Sequence, residues 1–224
     1  VAQAETERPA NGTAVFVQRY ALRERANLRD ALAWCIGHEQ ADAALTVAIA
    51  CAWWIRVDAN EGVRWLAWIL EHASQEPGAG RAAALTEMAG MHWANGRYEE
   101  AAGLAETGLA MAIEVGAVMT IAFATDLLGG IALSQSQFQR SRSLLTEAIG
   151  YWQELRDGWN EAEARQLLAG AELGLGNDAA AQHQAEHSLR LCRAFRPADA
   201  AGPLCRLGRI SRERGHDYSA ALSY

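Results

Sequence analysis

Apolar and polar positions along this chain follow a helical period, and the helical pattern itself repeats. The stretch Met88–Tyr98, MAGMHWANGRY, returns forty residues later as LGGIALSQSQF (Leu128–Phe138). It returns after another forty as LAGAELGLGND (Leu168–Asp178) and after thirty-nine as LGRISRERGHD (Leu207–Asp217). Each copy opens with a large apolar residue followed by Ala or Gly. A fixed period of this length marks an array in which each unit buries its apolar face against its neighbours.

The pattern predicts the elements in order. Residues 1–14 are a loose, polar lead-in carrying Pro9 and the Asn11-Gly12 turn signal. Residues 15–76 form a divergent helical region. Its first clear helix runs from Asn27 to Ile36, with Asn27 as N-cap and Gly37-His38 as its end. Leu28, Leu32 and either Cys35 or Trp34 form its apolar stripe. An apolar helix follows from Ala41 to Val57, then one from Glu61 to Ala73 carrying Val63, Leu66, Ile69 and Leu70. The connection Pro77-Gly78-Ala79-Gly80 lacks the Lys-Ser/Thr ending of a phosphate loop.

Residues 81–224 are regular repeats of about 40 residues, the last one truncated. The predicted helix pairs are Arg81–Ala94 with Tyr98–Val115, Val118–Ser134 with Phe138–Leu155, and Asn160–Gly174 with Asp178–Phe195. A fourth begins near Ala198, and its short final helix near Tyr218 is expected to fray or to be buried against another molecule. Asn95-Gly96, Gly176-Asn177 and Gly215-His216 supply turns. Ser136 stands where the other copies have Gly, so that turn is expected to manage without an easy positive φ.

Small residues recur where helices must approach closely: Ala89, Gly129, Ala169 and Gly208 in the first helices. In the second helices the seam falls on Ala101, Ala105 and Gly108, on Ser141 and Ala148, and on Ala181, Ala185 and Ser188. Leu85, Met88, Leu109, Leu128, Leu145, Ile149, Leu168 and Leu189 fill the space beside them.

Composition narrows the function classes. Half of the residues are hydrophobic and only four are Pro, which favours helix throughout. The net charge is −7, and all twenty basic residues are Arg, scattered among carboxylates. An acidic chain without a basic stripe argues against direct nucleic-acid contact. Cys35, Cys51, Cys192 and Cys205 lack metal-type spacing and read as reduced, small core residues of a cytoplasmic protein. No stretch has the eighteen apolar residues of a membrane span. The chain begins and stops without punctuation and is expected to be a segment of a larger protein.

Two constellations carry chemical alternatives. His183-Gln184-Ala185-Glu186-His187 has the H-x-x-E-H letters of an inverted zinc peptidase motif. Ala181 and Ala185 face the seam, so both imidazoles turn away from the paired helix, with no third ligand in view. They read as surface histidines, and no metal or cofactor is predicted. Trp34, Trp53, Trp54, Trp65, Trp68 and Trp93 crowd the first hundred residues. They read as packing residues, or in part as an aromatic-lined contact surface.

The repeats resemble tetratricopeptide (TPR) repeats, best in Gly96-Arg97-Tyr98-Glu99-Glu100-Ala101. The resemblance implies an all-α, right-handed superhelical array of TPR-like helical hairpins, whose first helices line a concave groove. On it, Gly90, Gly130 and Gly170 face the groove in register. A glycine inside a helix costs about 1 kcal/mol relative to Ala. The line is either a curvature device or the floor of a site flanked by Thr86, Trp93, Phe123, Asp126, Leu133, Glu163, Gln166 and Leu173. Carboxylate clamping of the chaperone-binding type is disfavoured, because the chain has no Lys and Gly takes the usual Asn position.

A second resemblance lies in Asn27-Leu28-Arg29-Asp30-Ala31-Leu32-Ala33-Trp34, the Trp53-Trp54 helix and Glu61-Gly62-Val63-Arg64-Trp65-Leu66. This run is similar to the start of the C-terminal helical sensor region in AfsR-like and LuxR-type, MalT-like bacterial ATPase transcriptional regulators. The resemblance implies a non-enzymatic sensor or protein-interaction segment that binds a protein or peptide partner, or a small-molecule inducer. The ATPase and DNA-binding domains would then lie elsewhere in the full-length protein. A generic TPR scaffold holding a peptide or helix is the alternative, and a homo-oligomer stays open.

Overall fold

A twenty-residue beat underlies the forty-residue one. The computed structural model describes residues 24–50, 59–195, 203–205 and 207. Its helices are α1 (Arg25–Gly37), α2 (Ala41–Ala50), α3 (Ala59–His72), α4 (Ala79–Ala94), α5 (Tyr98–Glu114), α6 (Val118–Ser134), α7 (Phe138–Glu154), α8 (Gly158–Gly174) and α9 (Asp178–Phe195). The fold is all-α, with no strand among the described residues. From α5 to α8 every helix has 17 residues, and each is separated from the next by a three-residue turn.

The turns are chemically different and geometrically alike. Each ends its helix with a residue in the left-handed region: Gly96 (φ 73°), Gly116 (68°), Ser136 (59°), Arg156 (55°) and Gly176 (76°). The next amide then reaches back five residues. Arg97 N–H donates to His92 O at 2.9 Å, Ala117 to Ala112 at 2.8 Å, and Gln137 to Ala132 at 2.8 Å. Asp157 to Trp152 at 2.9 Å and Asn177 to Glu172 at 2.8 Å complete the set. This is the Schellman closure, which satisfies the last carbonyls of a helix and reverses the chain. Ser136 therefore does not avoid positive φ; it adopts it, at a cost of about 1–2 kcal/mol for a side chain with a Cβ. Arg156 does the same with no sequence signal to announce it. Glu39 (φ 56°) closes α1 in the same way, with Gln40 N–H donating to Cys35 O at 2.8 Å.

Most helix limits fall within two residues of the expected ones. Asn27 is not an N-cap: it lies inside α1 and its Nδ2 donates to Glu24 Oε2 at 2.6 Å. Helix α8 starts at Gly158, ahead of the expected Asn160. Asp157 caps it, with Oδ1 accepting from Asn160 N–H at 3.0 Å and Oδ2 from Asn160 Nδ2 at 2.8 Å. Cys35 and Cys192 are buried, whereas Cys205 is exposed rather than a core residue. Trp34 is 57 % exposed and stacks on His38, and Trp68 stacks on His72 at 4.5 Å. The expected lead-in, Cys51, the Trp53-Trp54 pair, Gly208, Gly215-His216 and the Tyr218 helix lie outside the described residues.

The chain divides into two compact units, at Thr120 and Ile121. In the first, Leu32, Ala44, Ala48, Leu66, Ile69 and Met91 form the centre of the core. Arg29 Nη2 and Glu61 Oε1 tie α1 to α3 at 2.6 Å. In the second, Leu145, Ala148, Ile149, Trp152, Ala164 and Leu168 pack together, and Ala169, Ala181, Ala185 and Leu189 pack with Leu207. The seam residues expected from the sequence, Ala101, Ala105, Gly108, Ser141, Ala148, Ala181, Ala185 and Ser188, are all buried. Two glycines show why the seam tolerates so little. A methyl group on Gly108 would lie 2.6 Å from Thr86 Oγ1 and 3.0 Å from Ala82 O. One on Gly129 would lie 2.6 Å from Leu145 Cγ. Seam hydroxyls are used too: Ser141 donates to Gly129 O at 2.8 Å and Ser188 to Ala162 O at 2.7 Å.

Candidate functional site

The first-helix face has to be read separately in each unit. In α4, Thr86 is fully buried and its hydroxyl donates to Ala82 O of its own helix at 2.9 Å. It sits under Gly108, in the hairpin seam. Gly90 and Trp93 are half-buried, and a methyl group on Gly90 would meet nothing within 4 Å. Space is therefore open above Gly90, one turn away from a residue that the hairpin has already used.

In the second unit, α6 and α8 present the remaining sequence-predicted residues. Phe123 and Leu133 of α6 are half-buried, and Gly130 is buried. On α8, Glu163 is exposed, Gln166 and Leu173 are half-buried and Gly170 is buried. Phe123 packs against the cluster that contains Trp152, and Leu173 against that of Ala169 and Leu189.

Asp126 stands out among them. Its residue is 8 % exposed, and Trp152 Nε1 of α7 donates to its Oδ2 at 3.3 Å. Its Oδ1 has no hydrogen-bond partner. Burial pushes the Asp126 carboxyl up to about 8, the negative charge of Glu163 adds to the rise, and the Trp152 hydrogen bond opposes it. The group is therefore mostly protonated at pH 7, a neutral acid with unspent hydrogen-bonding capacity. An orphaned buried polar group costs about 1–3 kcal/mol. The hairpin does not require it: forty residues earlier Thr86 satisfies itself on its own helix.

The sequence reading missed a second cluster, on the other side of α8. Arg165, buried, donates from Nε to Glu161 Oε1 at 2.9 Å, and its Nη2 lies 2.8 Å from the same oxygen in an ion pair. Its Nη1 donates to Gln184 Oε1 of α9 at 2.7 Å. Gln153 Nε2 of α7 also donates to Glu161 Oε1, at 3.0 Å. Beside this network a cavity of about 560 Å³ is lined by Gln139, Arg142, Ser143, Thr146 and Ile149 of α7, by Arg165, Leu168 and Glu172 of α8, and by Gln184. The signal lay in the register: Arg165 falls where the earlier copies have Thr125 and Leu85.

The histidine motif is divided by its surroundings. His183 is exposed, whereas His187 is half-buried, and the rings meet edge to face at 6.4 Å. Burial lowers the His187 pKa first, then the charges of Arg165 and Arg190. Glu186 accepts from Gln182 Nε2 at 2.8 Å. Among the described residues no group of three or more His, Cys, Asp or Glu is arranged to hold a metal ion. None of their helices is long and apolar enough to cross a membrane.

No protein-family model matches the sequence, and no curated protein matches it. Solved structures do resemble it. BtubC (BKLC) from P. vanneervenii is similar at 17% identity and a TM-score of 0.67, over 92% of this chain and 87% of that one. A Rap protein complexed with Competence and Sporulation Factor is similar at 11% identity and a TM-score of 0.70. That match covers 81% of this chain and 51% of the Rap chain, so it spans about half of Rap. The TPR-like repeats of a kinesin light chain from Podosopora anserina are similar at 17% identity and a TM-score of 0.58, over 79% and 89% of the two chains. At these identities the likeness is one of fold, and the fold is that of TPR-like helical repeats.

Proposed function

We propose that this chain is a non-enzymatic binding module that holds a protein or peptide through the first-helix face of its second unit. The observation that carries the proposal is Asp126, buried beside Trp152 with one carboxyl oxygen unpartnered. A partner's ammonium or guanidinium group would favour the ionised form of Asp126, so the carboxyl gives up its proton on binding and the cation meets two carboxylates, those of Asp126 and Glu163, flanked by the apolar sides of Phe123, Leu133 and Leu173. The similarity to Rap, solved with a bound factor, supports a ligand-holding role for such repeats.

The test is selection of a random peptide library on the intact chain. Basic peptides are expected to emerge, and Asp126→Asn is expected to weaken them by about tenfold, the loss of one charge-assisted contact. Leu133→Arg, on the same face, is expected to abolish binding while thermal melts show a folded chain. Selected peptides that ignore both substitutions would remove the site.

The narrower reading is that the module is the sensor segment of a bacterial ATPase-type transcriptional regulator, in which a peptide or small inducer biases assembly of an ATPase carried elsewhere. It is supported by the Asn27–Trp34 and Glu61–Leu66 runs, which the Arg29–Glu61 ion pair joins. Such coupling requires a difference in ligand affinity between assembly states. The gene upstream of the Val1 codon tests it: a P-loop ATPase domain supports the regulator, and any other context leaves the scaffold.

A further inference from the structure

We propose that the cavity between α7, α8 and α9 is a second binding site, for a small organic monocarboxylate with an apolar body. At about 560 Å³ it has the size of a small-molecule pocket. Its floor is apolar, from Ile149 and Leu168, and its charged groups are two guanidiniums, Arg142 and Arg165, against one carboxylate, Glu172. Arg165 is held in one orientation by Glu161 and Gln184, which leave at least two of its five N–H groups unused. Gln184 has committed its carbonyl to Arg165, so its amide N–H groups remain. Arg142, on the wall, has no ion pair among the described residues. Glu161 balances Arg165, which leaves Arg142 as the cation to be answered.

The one carboxylate of the lining, Glu172, lies seven residues along α8 from Arg165, about 10 Å at helical rise. It accepts from Asn177 Nδ2 at 2.7 Å. An acid head therefore belongs at the Arg165 end, and a second acid group at the far end is repelled.

The repeats supply an internal control. Arg142 falls where Ala102 stands forty residues earlier, Arg165 where Thr125 and Leu85 stand, and Gln184 where Leu144 and Leu104 stand. The helices at those positions form with small or apolar residues. Burying a guanidinium is costly unless it is paired, and this one keeps donors in reserve.

The probe is hexanoate, titrated into the intact chain by calorimetry and by backbone amide NMR, with hexylammonium and hexanol as charge controls. Saturable hexanoate binding is expected, with shifts centred on residues 142–149, 165–172 and 184. Arg142→Ala is expected to weaken it by about tenfold. Arg165→Leu, which installs the residue found at position 85, is expected to abolish it in a chain that melts cooperatively. Adipate is expected to bind more weakly than hexanoate. Equal binding of hexylammonium, no saturation with hexanoate, or an unchanged Arg142→Ala variant would overturn the proposal. A blocked Leu-Glu-Leu peptide separates the sources: tighter than hexanoate means an acidic peptide side chain, weaker means a free organic acid. Asp126→Asn is expected to leave hexanoate binding unchanged, so this site and the first-helix face can fail independently.

Discussion

The α4–α5 and α8–α9 hairpins are closed by the same backbone hydrogen bonds and bury different chemistry. Each ends its first helix on a left-handed glycine, Gly96 or Gly176, and each runs a seam of small residues, Ala101 and Ala105 or Ala181 and Ala185. Yet where α4–α5 has Leu85 and Leu104, α8–α9 has Arg165 and Gln184. Where α4 has Thr86, bonded to its own helix, α6 has Asp126, with an oxygen unmet. The turn and the seam suffice to build a hairpin. The side chain buried beside them is free to change, so a costly one there calls for another explanation than folding.

The largest break in this comparison is expected at Asp126. The native carboxyl is pushed up to about 8, from the ordinary aspartate value of 3.8. Unfolded chains release that proton near pH 4 and native chains keep it to about pH 8. The unfolded state therefore binds fewer protons between these values, and stability falls as pH rises through that window. The full loss is on the order of 5 kcal/mol. Asp126→Asn is expected to flatten the slope in urea melts run across this window. An unchanged slope would mean that the carboxyl is ionised in the native state and has found a partner.

Arg165 comes next. Arg165→Ala leaves Glu161 buried without its cation, at an expected cost of about 3–5 kcal/mol. Installing the apolar set instead, Arg165→Leu with Glu161→Ile and Gln184→Leu, is expected to be neutral or stabilising, since Ile121 and Leu144 already stand at two of these positions one copy earlier. If the triple substitution destabilises as much as Arg165→Ala, the network is structural and the two hairpins differ in what holds them. A smaller effect is expected at Gly108. Gly108→Ala forces a methyl group to within 2.6 Å of Thr86 Oγ1, at an expected cost of about 1–3 kcal/mol by thermal melt. Adding Thr86→Ala is expected to recover part of that loss, and no recovery would point to the Ala82 carbonyl at 3.0 Å as the obstacle.

What was legible in the sequence follows the same division. The period, the helix limits and the seam could be read, because small residues and turn glycines are forced by backbone geometry and recur in register. The burial of Arg165 has no such signal. One Arg in an Ala-rich helix looks like a solvent face, and its burial depends on Glu161, one turn back, and on Gln184 of the next helix. Register sets Thr86 and Asp126 beside the groove glycines, but their burial is set by Gly108 and Trp152 from the paired second helices. Sequence periodicity says which side of a helix a residue occupies; what covers that side comes from the partner element.

The turns give the finest test of how alike the repeats are. Five turns spaced twenty residues apart take the same left-handed conformation, at glycine in three and at Ser136 and Arg156 in two. A side chain with a Cβ is strained there, whereas glycine gives up more freedom in the unfolded chain, and the two effects oppose each other. Relief of strain is the larger where φ is positive, so Ser136→Gly and Arg156→Gly are each expected to stabilise by about 1 kcal/mol. Gly176→Ala is expected to destabilise by a similar amount. If the two glycine substitutions add in the double variant, the turns are independent closures. If they do not, successive turns share strain through the helix between them, because Ser136 and Arg156 bracket α7, the helix that supplies Trp152 to Asp126 and Arg142 to the cavity wall.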